Sequence, residues 1–310
     1  MTVNLDTTLA RAAQGASALA AQMPRLILEA HRIASSVQHG LHGRRRAGSG
    51  ENFWQYRRFI DGEPAARVDW RRSARDDHLY VREREWEAAH AVWLWPSLSA
   101  SMDYGSKGVT PKYERALVIT FALAELLVKG GERVGLPGLL RPSASRRIVD
   151  RLAEALLHAP ASGDLPPAFA PSAWSEVVLL GDFWSPAQDL CARIRQIADT
   201  GAHGQLVQIV DPAEETFPFS GRIAFHAPQA GARLTVGRAE TWRAEYETRL
   251  ALHRGEIRET CQKLGWGFTI HRTDRPASEL LLALHARMGA GAEMSLGRDA
   301  AVPVKEDLQP

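Results

Sequence analysis

Between Ala88 and Trp95 the chain reads AAHAVWLW and stops at Pro96. A short apolar run, rich in Val and Trp and closed by proline, is a strand buried on both faces. Two more such runs follow: Glu176-Val177-Val178-Leu179-Leu180-Gly181-Asp182, and Gln205 to Val210. Between them apolar residues recur at helical spacing, from Thr110-Pro111 to Lys129, from Arg146 to His158, and from Pro186 to Thr200. Buried strands alternating with helices imply βαβ crossovers, hence an α/β fold with a mainly parallel sheet covered on both faces. Such sheets place their sites at the carboxyl ends of the strands. After Pro96 that position holds serine at alternate places, Ser97, Ser99 and Ser101, and the second run ends in Asp182.

The rest of the chain extends this pattern. Residues 6–22 are Ala-rich, a composition compatible with helix, and residues 1–24 are expected to be a mobile arm. Pro24 is placed to open a helix whose stripe is Leu26, Ala30, Ile33 and Val37, with Gly40 and Gly43 ending it. Val134 and Leu136 mark a short strand, and Pro160 to Pro171 a linker loop. Residues 217–238 suggest short β-segments around Gly221 and Gly231. A long helix carries Trp242, Tyr246, Leu250, Ile257, Cys261 and Leu264, followed by a strand at Phe268-Thr269-Ile270 and a helix from Ser278 to Met288. The expected division is an arm at 1–24, a helix and distinctive segment at 25–87, the sheet domain at 88–288, and a mobile tail at 289–310.

The segment from Arg44 to Glu87 stands apart. It holds eleven Arg and nine acidic residues, so its net charge is only +2. A surface that tracks phosphates would not cancel its own charge in this way. Interleaved Arg and carboxylates, walled by Phe53, Trp54, Tyr56, Phe59 and Trp70, suggest paired networks with ring stacking. The same residue types are enriched at protein-docking hot spots. An internal clasp that fixes an irregular segment in place is the other reading. The whole chain's net charge of +2 also argues against nucleic-acid binding through Arg44-Arg45-Arg46 or Arg71-Arg72. There is no apolar run long enough to span a membrane and no secretory signal pattern at the N-terminus. Cys191 and Cys261 read as buried free thiols in preference to the alternative, a structural disulfide, and this fits a cytoplasmic protein.

One family resembles this chain closely, the bacterial "domain of unknown function 58" proteins. The resemblance is carried by Gly48, Gly50, Glu51, Phe53, Arg57, Phe59, Gly62, Glu63, Arg67, Asp69, Trp70, Ser73, Ala74 and Arg75. Asp211-Pro212-Ala213-Glu214-Glu215, Pro218-Phe219-Ser220-Gly221 and the late pair Thr273-Asp274 add to it, over roughly residues 25–288. Phe59 stands where Tyr is usual, and Glu63 where Asp is usual. The resemblance implies a von Willebrand factor A-like doubly wound sheet with helices on both faces, plus an N-terminal helix and the irregular Arg/aromatic-rich segment. It also implies a metal-ion-dependent adhesion site written D-x-S-x-S. In that register the leading Asp is replaced by Ser97, while Ser99, Ser101 and a later Asp182 remain. A Thr is expected from an intervening loop, and none is evident near Ser162-Gly163-Asp164. Mg²⁺ and similar hard cations require carboxylates to offset their charge. The loop is therefore expected to be a degenerate metal site; Asp103, just beyond, is the one candidate to substitute but stands at the wrong spacing, and no cofactor is expected.

Relatives of this kind are linked with MoxR-type AAA+ ATPases and with other von Willebrand factor A-like proteins. The expected function is a non-enzymatic adaptor or co-chaperone in the assembly or maturation of other proteins. Arg57, Phe59, Arg67, Asp69, Trp70 and Arg75 are the candidate partner-binding residues. The chain has no phosphate loop for ATP hydrolysis and no H-E-x-x-H, G-x-S-x-G or C-x-x-C motif. The alternatives are a hydrolase with a site at the sheet's carboxyl edge, where His78 and His90 are the only nearby histidines, and, further off, a nucleic-acid binder.

Overall fold

The computed structural model describes residues 5–42, 55–60, 64, 68–75, 78–83, 90–159, 163–226 and 233–299. Expectations about Gly43 to Trp54, Gly62, Glu63, Arg67, residues 84–87, Ser162, Gly231 and residues 300–310 lie outside these. The chain divides into two compact units, residues 40–89 and the remainder.

In chain order the larger unit begins with most of α1 (Leu5–His42). The smaller unit contributes β1 (Gln55–Arg58), α2 (Trp70–Ser73) and β2 (Tyr80–Glu83). The larger unit resumes with β3 (Ala91–Pro96), α3 (Lys112–Lys129), β4 (Arg133–Leu136), β5 (Leu140–Ser143) and α4 (Ile148–Leu157). It continues through β6 (Glu176–Gly181), α5 (Ala187–Ala198), β7 (His203–Val210) and α6 (Pro212–Thr216). Last come β8 (Ile223–His226), β9 (Arg233–Val236), α7 (Arg243–Lys263), β10 (Gly267–Arg272) and α8 (Ala277–Asp299).

The six-stranded sheet has the order β10-β7-β6-β3-β4-β5. Every pairing is parallel except β4 with β5. The expected α/β class and mainly parallel sheet therefore hold. From β3 the chain steps one way to β4 through α3; from β6 it steps the other way to β7 through α5. The strand order thus reverses between β3 and β6. At such a reversal the two outgoing loops diverge and leave a crevice at the carboxyl edge.

Helix α3 packs against α4 and against α8, and α5 packs against α7. Helix α3 is buried along nearly its whole length, from Ala116 through Leu127, which is the pattern of a helix enclosed on several sides. Helix α1 covers part of it with Met23, Leu26, Ala30, Ala34 and Val37. Polar contacts run alongside: Tyr113 donates to Gln22 at 2.7 Å, and His31 pairs with Glu125 at 2.5 Å. Val177, Leu179, Leu190, Ile194, Leu206, Ile257 and Trp266 form a single apolar cluster. Cys191 and Cys261 sit in it as buried free thiols, and burial pushes the Cys261 thiol up to about 12.

Three expectations need correction. Pro24 does not open a second helix, because α1 runs straight through it. A proline inside a helix removes one backbone bond, and here Met23 and Leu26, buried on either side of it, keep the helix docked. Helix α8 does not stop at Met288 but continues to Asp299. Ala290, Ala292, Glu293 and Met294 are good helix formers and carry it past Gly289 and Gly291. The Arg/aromatic segment is not merely irregular. It contains an antiparallel ladder, Gln55 with Glu83 through Arg58 with Tyr80, and the short helix α2.

Candidate functional site

The loop after β3 and the end of β6 meet in the crevice where strand order reverses. Ser97 donates its backbone N–H to Leu180 O at 2.7 Å. A Cβ built on Gly181 would lie 3.1 Å from the Ser97 Cβ, so glycine allows the loop to sit this close. Ser97 and Ser99 are buried. Their hydroxyls are joined at 3.2 Å, and Ser99 reaches Ser101 at 3.0 Å. Ser97 Oγ also accepts from the Ser99 backbone N–H at 3.4 Å. The hydroxyls therefore brace their own loop, as serines in turns do.

Asp182 is 1% exposed, and its partner is a residue that sequence reasoning missed. Lys112, in the first turn of α3, is fully buried. Its ammonium donates to Asp182 Oδ2 at 2.9 Å and to Glu214 Oε1 at 2.5 Å. The Tyr104 ring lies 5.8 Å from the same nitrogen. A buried charge is tolerated when it is paired and hydrogen-bonded in this way.

Glu214 is held as firmly. Its other oxygen accepts from the Asp211 backbone N–H at 2.9 Å, and Trp184 Nε1 donates to Oε1 at 3.3 Å. Asp211 caps α6 through Ala213 N–H at 2.8 Å, and Glu214 completes the capping box. Burial raises the Glu214 carboxyl above its ordinary value, with Lys112 pulling the other way. Asp211 Oδ2 also accepts from the Ser106 backbone and hydroxyl at 2.8 and 3.0 Å, which ties the loop after β3 to α6. Behind them Gln208 donates to Asp182 O at 3.0 Å and accepts from Arg254, which pairs with Glu215 at 3.1 Å.

This arrangement does not fit a divalent cation. Ser97 gives the loop a neutral hydroxyl where a carboxylate would be needed. Asp182 is already neutralised by Lys112, whose ammonium stands on the carboxylate a metal would use. Asp103 is exposed in the turn beyond the serines, its carboxyl raised by burial and then by Glu114. His253 Nε2 donates to Phe183 O at 2.8 Å, while the bonds of the three serine hydroxyls run within their own loop.

In the smaller unit the signature residues divide by role. Asp69 accepts from Arg72 N–H at 3.0 Å and caps α2. Ser73 donates to Asp69 O at 2.9 Å and accepts from Tyr80 N–H at 2.8 Å, bolting α2 to β2. Phe59, half-buried, continues the ladder by bonding Leu79 O at 2.8 Å. Arg72 stacks 4.7 Å over the Tyr80 ring. Trp70, by contrast, is 62% exposed and Arg75 is exposed as well. The backbone of Arg57 lies in β1; its side chain, and all of Arg67, fall outside the described residues. Among the described residues no helix is long and apolar enough to cross a membrane.

Comparison with known proteins agrees with the signature. Uncharacterized proteins of Mycobacterium tuberculosis and Mycobacterium bovis are 26% identical over 276 residues, covering 83% of this chain and 86% of theirs. Two solved structures align over 65% of this chain and 100% of their own: BatB from Bacteroides thetaiotaomicron, 12% identical with TM-score 0.39, and an aerotolerance-related membrane protein from Bacteroides fragilis, 15% identical with TM-score 0.38. The family model for the protein of unknown function DUF58 matches residues 55–256, well over half of the chain, and the chain belongs to that family.

Proposed function

We propose that this protein is a non-enzymatic docking module, a von Willebrand factor A-like domain whose cation position has been taken over by one of its own lysines. Its partner on this reading is a MoxR-type AAA+ ATPase, with other von Willebrand factor A-like proteins in the same assembly. It would act in the cytoplasm as an adaptor in the maturation of other proteins. Lys112 carries the reading. The crevice at the strand-order reversal is where an α/β sheet would hold a reactive ion or a catalytic group. Here it is filled by an ammonium locked between two carboxylates. On this reading the triad braces the crevice from within and takes no part in a reaction. The exposed Trp70 and Arg75 supply the residue types that dominate docking energetics.

The test is a pull-down with the AAA+ partner locked in its ATP state. Binding should survive EDTA and be lost on Trp70→Ala or Arg57→Ala. Ser99→Ala, which removes a hydroxyl that braces the loop, should weaken it less. Loss of the complex on chelation would overturn the metal-free reading. Full binding by Trp70→Ala together with Arg57→Ala would overturn the assignment to the signature segment.

A further inference from the structure

Beside the Lys112 triad lies a cavity of about 380 Å³, lined mostly by rings, among them Tyr104, Trp184, Phe217, Phe225 and Trp242, with Glu214 the one charged residue among the described residues of its wall. It is open to the outside, and Tyr104 and Trp242 are partly exposed at 37% and 42%. The rings hold one another in place: Phe217 lies 4.8 Å from Tyr246 and 6.0 Å from Phe225. The Tyr246 hydroxyl donates to the backbone oxygen of Glu214, which fixes that wall to the triad. The cavity is therefore preformed, as ligand sites usually are.

Its charge decides what fits. Asp182, Asp211, Glu214 and Glu215 stand behind it against Lys112, Arg254 and Arg243, whose Nε donates to Phe217 O at 3.2 Å, while Arg272 is tied to Asp274. The balance is negative by one. That field reaches the walls: burial first, then Asp211 and Glu214, raise the Tyr104 hydroxyl, and burial followed by Glu214 pushes Tyr246 up to about 12. Ring faces attract cations as well, and Lys112 already sits over one of these rings from behind.

We propose that this pocket receives an arginine side chain from the partner protein, its planar guanidinium stacked between rings and drawn by the surplus carboxylate charge. Guanidinium is weakly hydrated and stacks on aromatic faces, so it suits an apolar pocket better than an ammonium does. The proposal rests on the docking reading and adds a second contact, at the sheet edge, to the signature segment.

The test follows the indole N–H signals of Trp184 and Trp242 by NMR while the full chain is titrated with N-acetyl-arginine amide, and separately with its neutral isostere N-acetyl-citrulline amide. Arginine should give saturable shifts at both indoles, and citrulline should bind roughly tenfold more weakly, the scale of a desolvated cation–π contact. Trp242→Ala, at a partly exposed position, should weaken arginine binding several-fold, read at Trp184. Equal affinity for citrulline would show an apolar pocket only and overturn the proposal, as would the absence of saturable shifts. The probe is free in solution, so a negative titration leaves the pull-down result standing, and a negative pull-down leaves the titration standing.

Discussion

A buried ammonium and the carboxylates around it are mutually dependent, and Lys112 makes that dependence testable. Removing one partner of a buried pair strands the other and costs about 3–5 kcal/mol. Lys112→Met should therefore destabilise the fold by that order, measured by urea unfolding. Asp182→Asn added to it should recover part of the loss, because the stranded charge goes too. The same vacancy has a second consequence. With the ammonium gone, Asp182 and Glu214 regain the charge a hard cation needs, beside the hydroxyls of Ser97 and Ser99. Millimolar Mn²⁺ should raise the melting temperature of Lys112→Ala by mass action and leave wild type unmoved. A Mn²⁺ response in wild type would overturn the idea that lysine has displaced the ion. In the smaller unit, Asp69→Ala should cost about 1 kcal/mol as a lost helix cap. Trp70→Ala, at an exposed position, should leave stability within about 0.5 kcal/mol and act on binding alone.

Among the elements, Gly181 at the end of β6 bears most directly on the site. An alanine Cβ there would meet Ser97 Cβ at 3.1 Å and the Phe183 ring at 3.2 Å. Overpacking of this kind costs about 1–3 kcal/mol, and the strain falls on the serine loop. Gly181→Ala should lower the urea midpoint with an unchanged m-value, and a neutral result would show that the loop stands further from β6. Which elements were legible in the sequence follows from the same local physics. Strands β3, β6 and β7 are legible because burial on both faces demands mainly apolar runs, even with Gln205 and Gln208 inside β7. Strand β5 did not, since Leu140–Ser143 is four residues long and contains Pro142, tolerable only because β5 lies at the sheet's edge. The β1–β2 ladder was hidden under its own charge. The loop serines and Asp182 were found at the correct edge, but Lys112 was not, because its partners lie 70 and 102 residues away. One local hint existed. A lysine in the first turn of a helix opposes the helix dipole, so a buried carboxylate partner was worth seeking.

At the scale of the whole molecule, half-buried Glu176 and buried His271 set opposite slopes on stability against pH. Burial pushes the Glu176 carboxyl, at the start of β6, up to about 7. It pushes the His271 imidazole, on β10, down to about 4, with Arg115 adding to the effect. A carboxyl with a raised folded pKa stabilises below its unfolded value of 4.5 and loses that contribution as pH rises through about 7. An imidazole with a lowered one contributes fully above 6.5 and loses that as pH falls towards about 4. Each shift corresponds to about 3 kcal/mol. Between pH 4.5 and 6.5 one group releases what the other gains, so their slopes nearly cancel in wild type. Single substitutions should expose the hidden slopes. Glu176→Gln should gain little over wild type at pH 4 and about 3 kcal/mol near neutrality. His271→Gln should show the reverse, with its advantage growing as pH falls below 6.5. Urea midpoints across this range read both differences directly. A pH-independent offset for either variant would mean that the group it replaces titrates alike in the folded and unfolded chain.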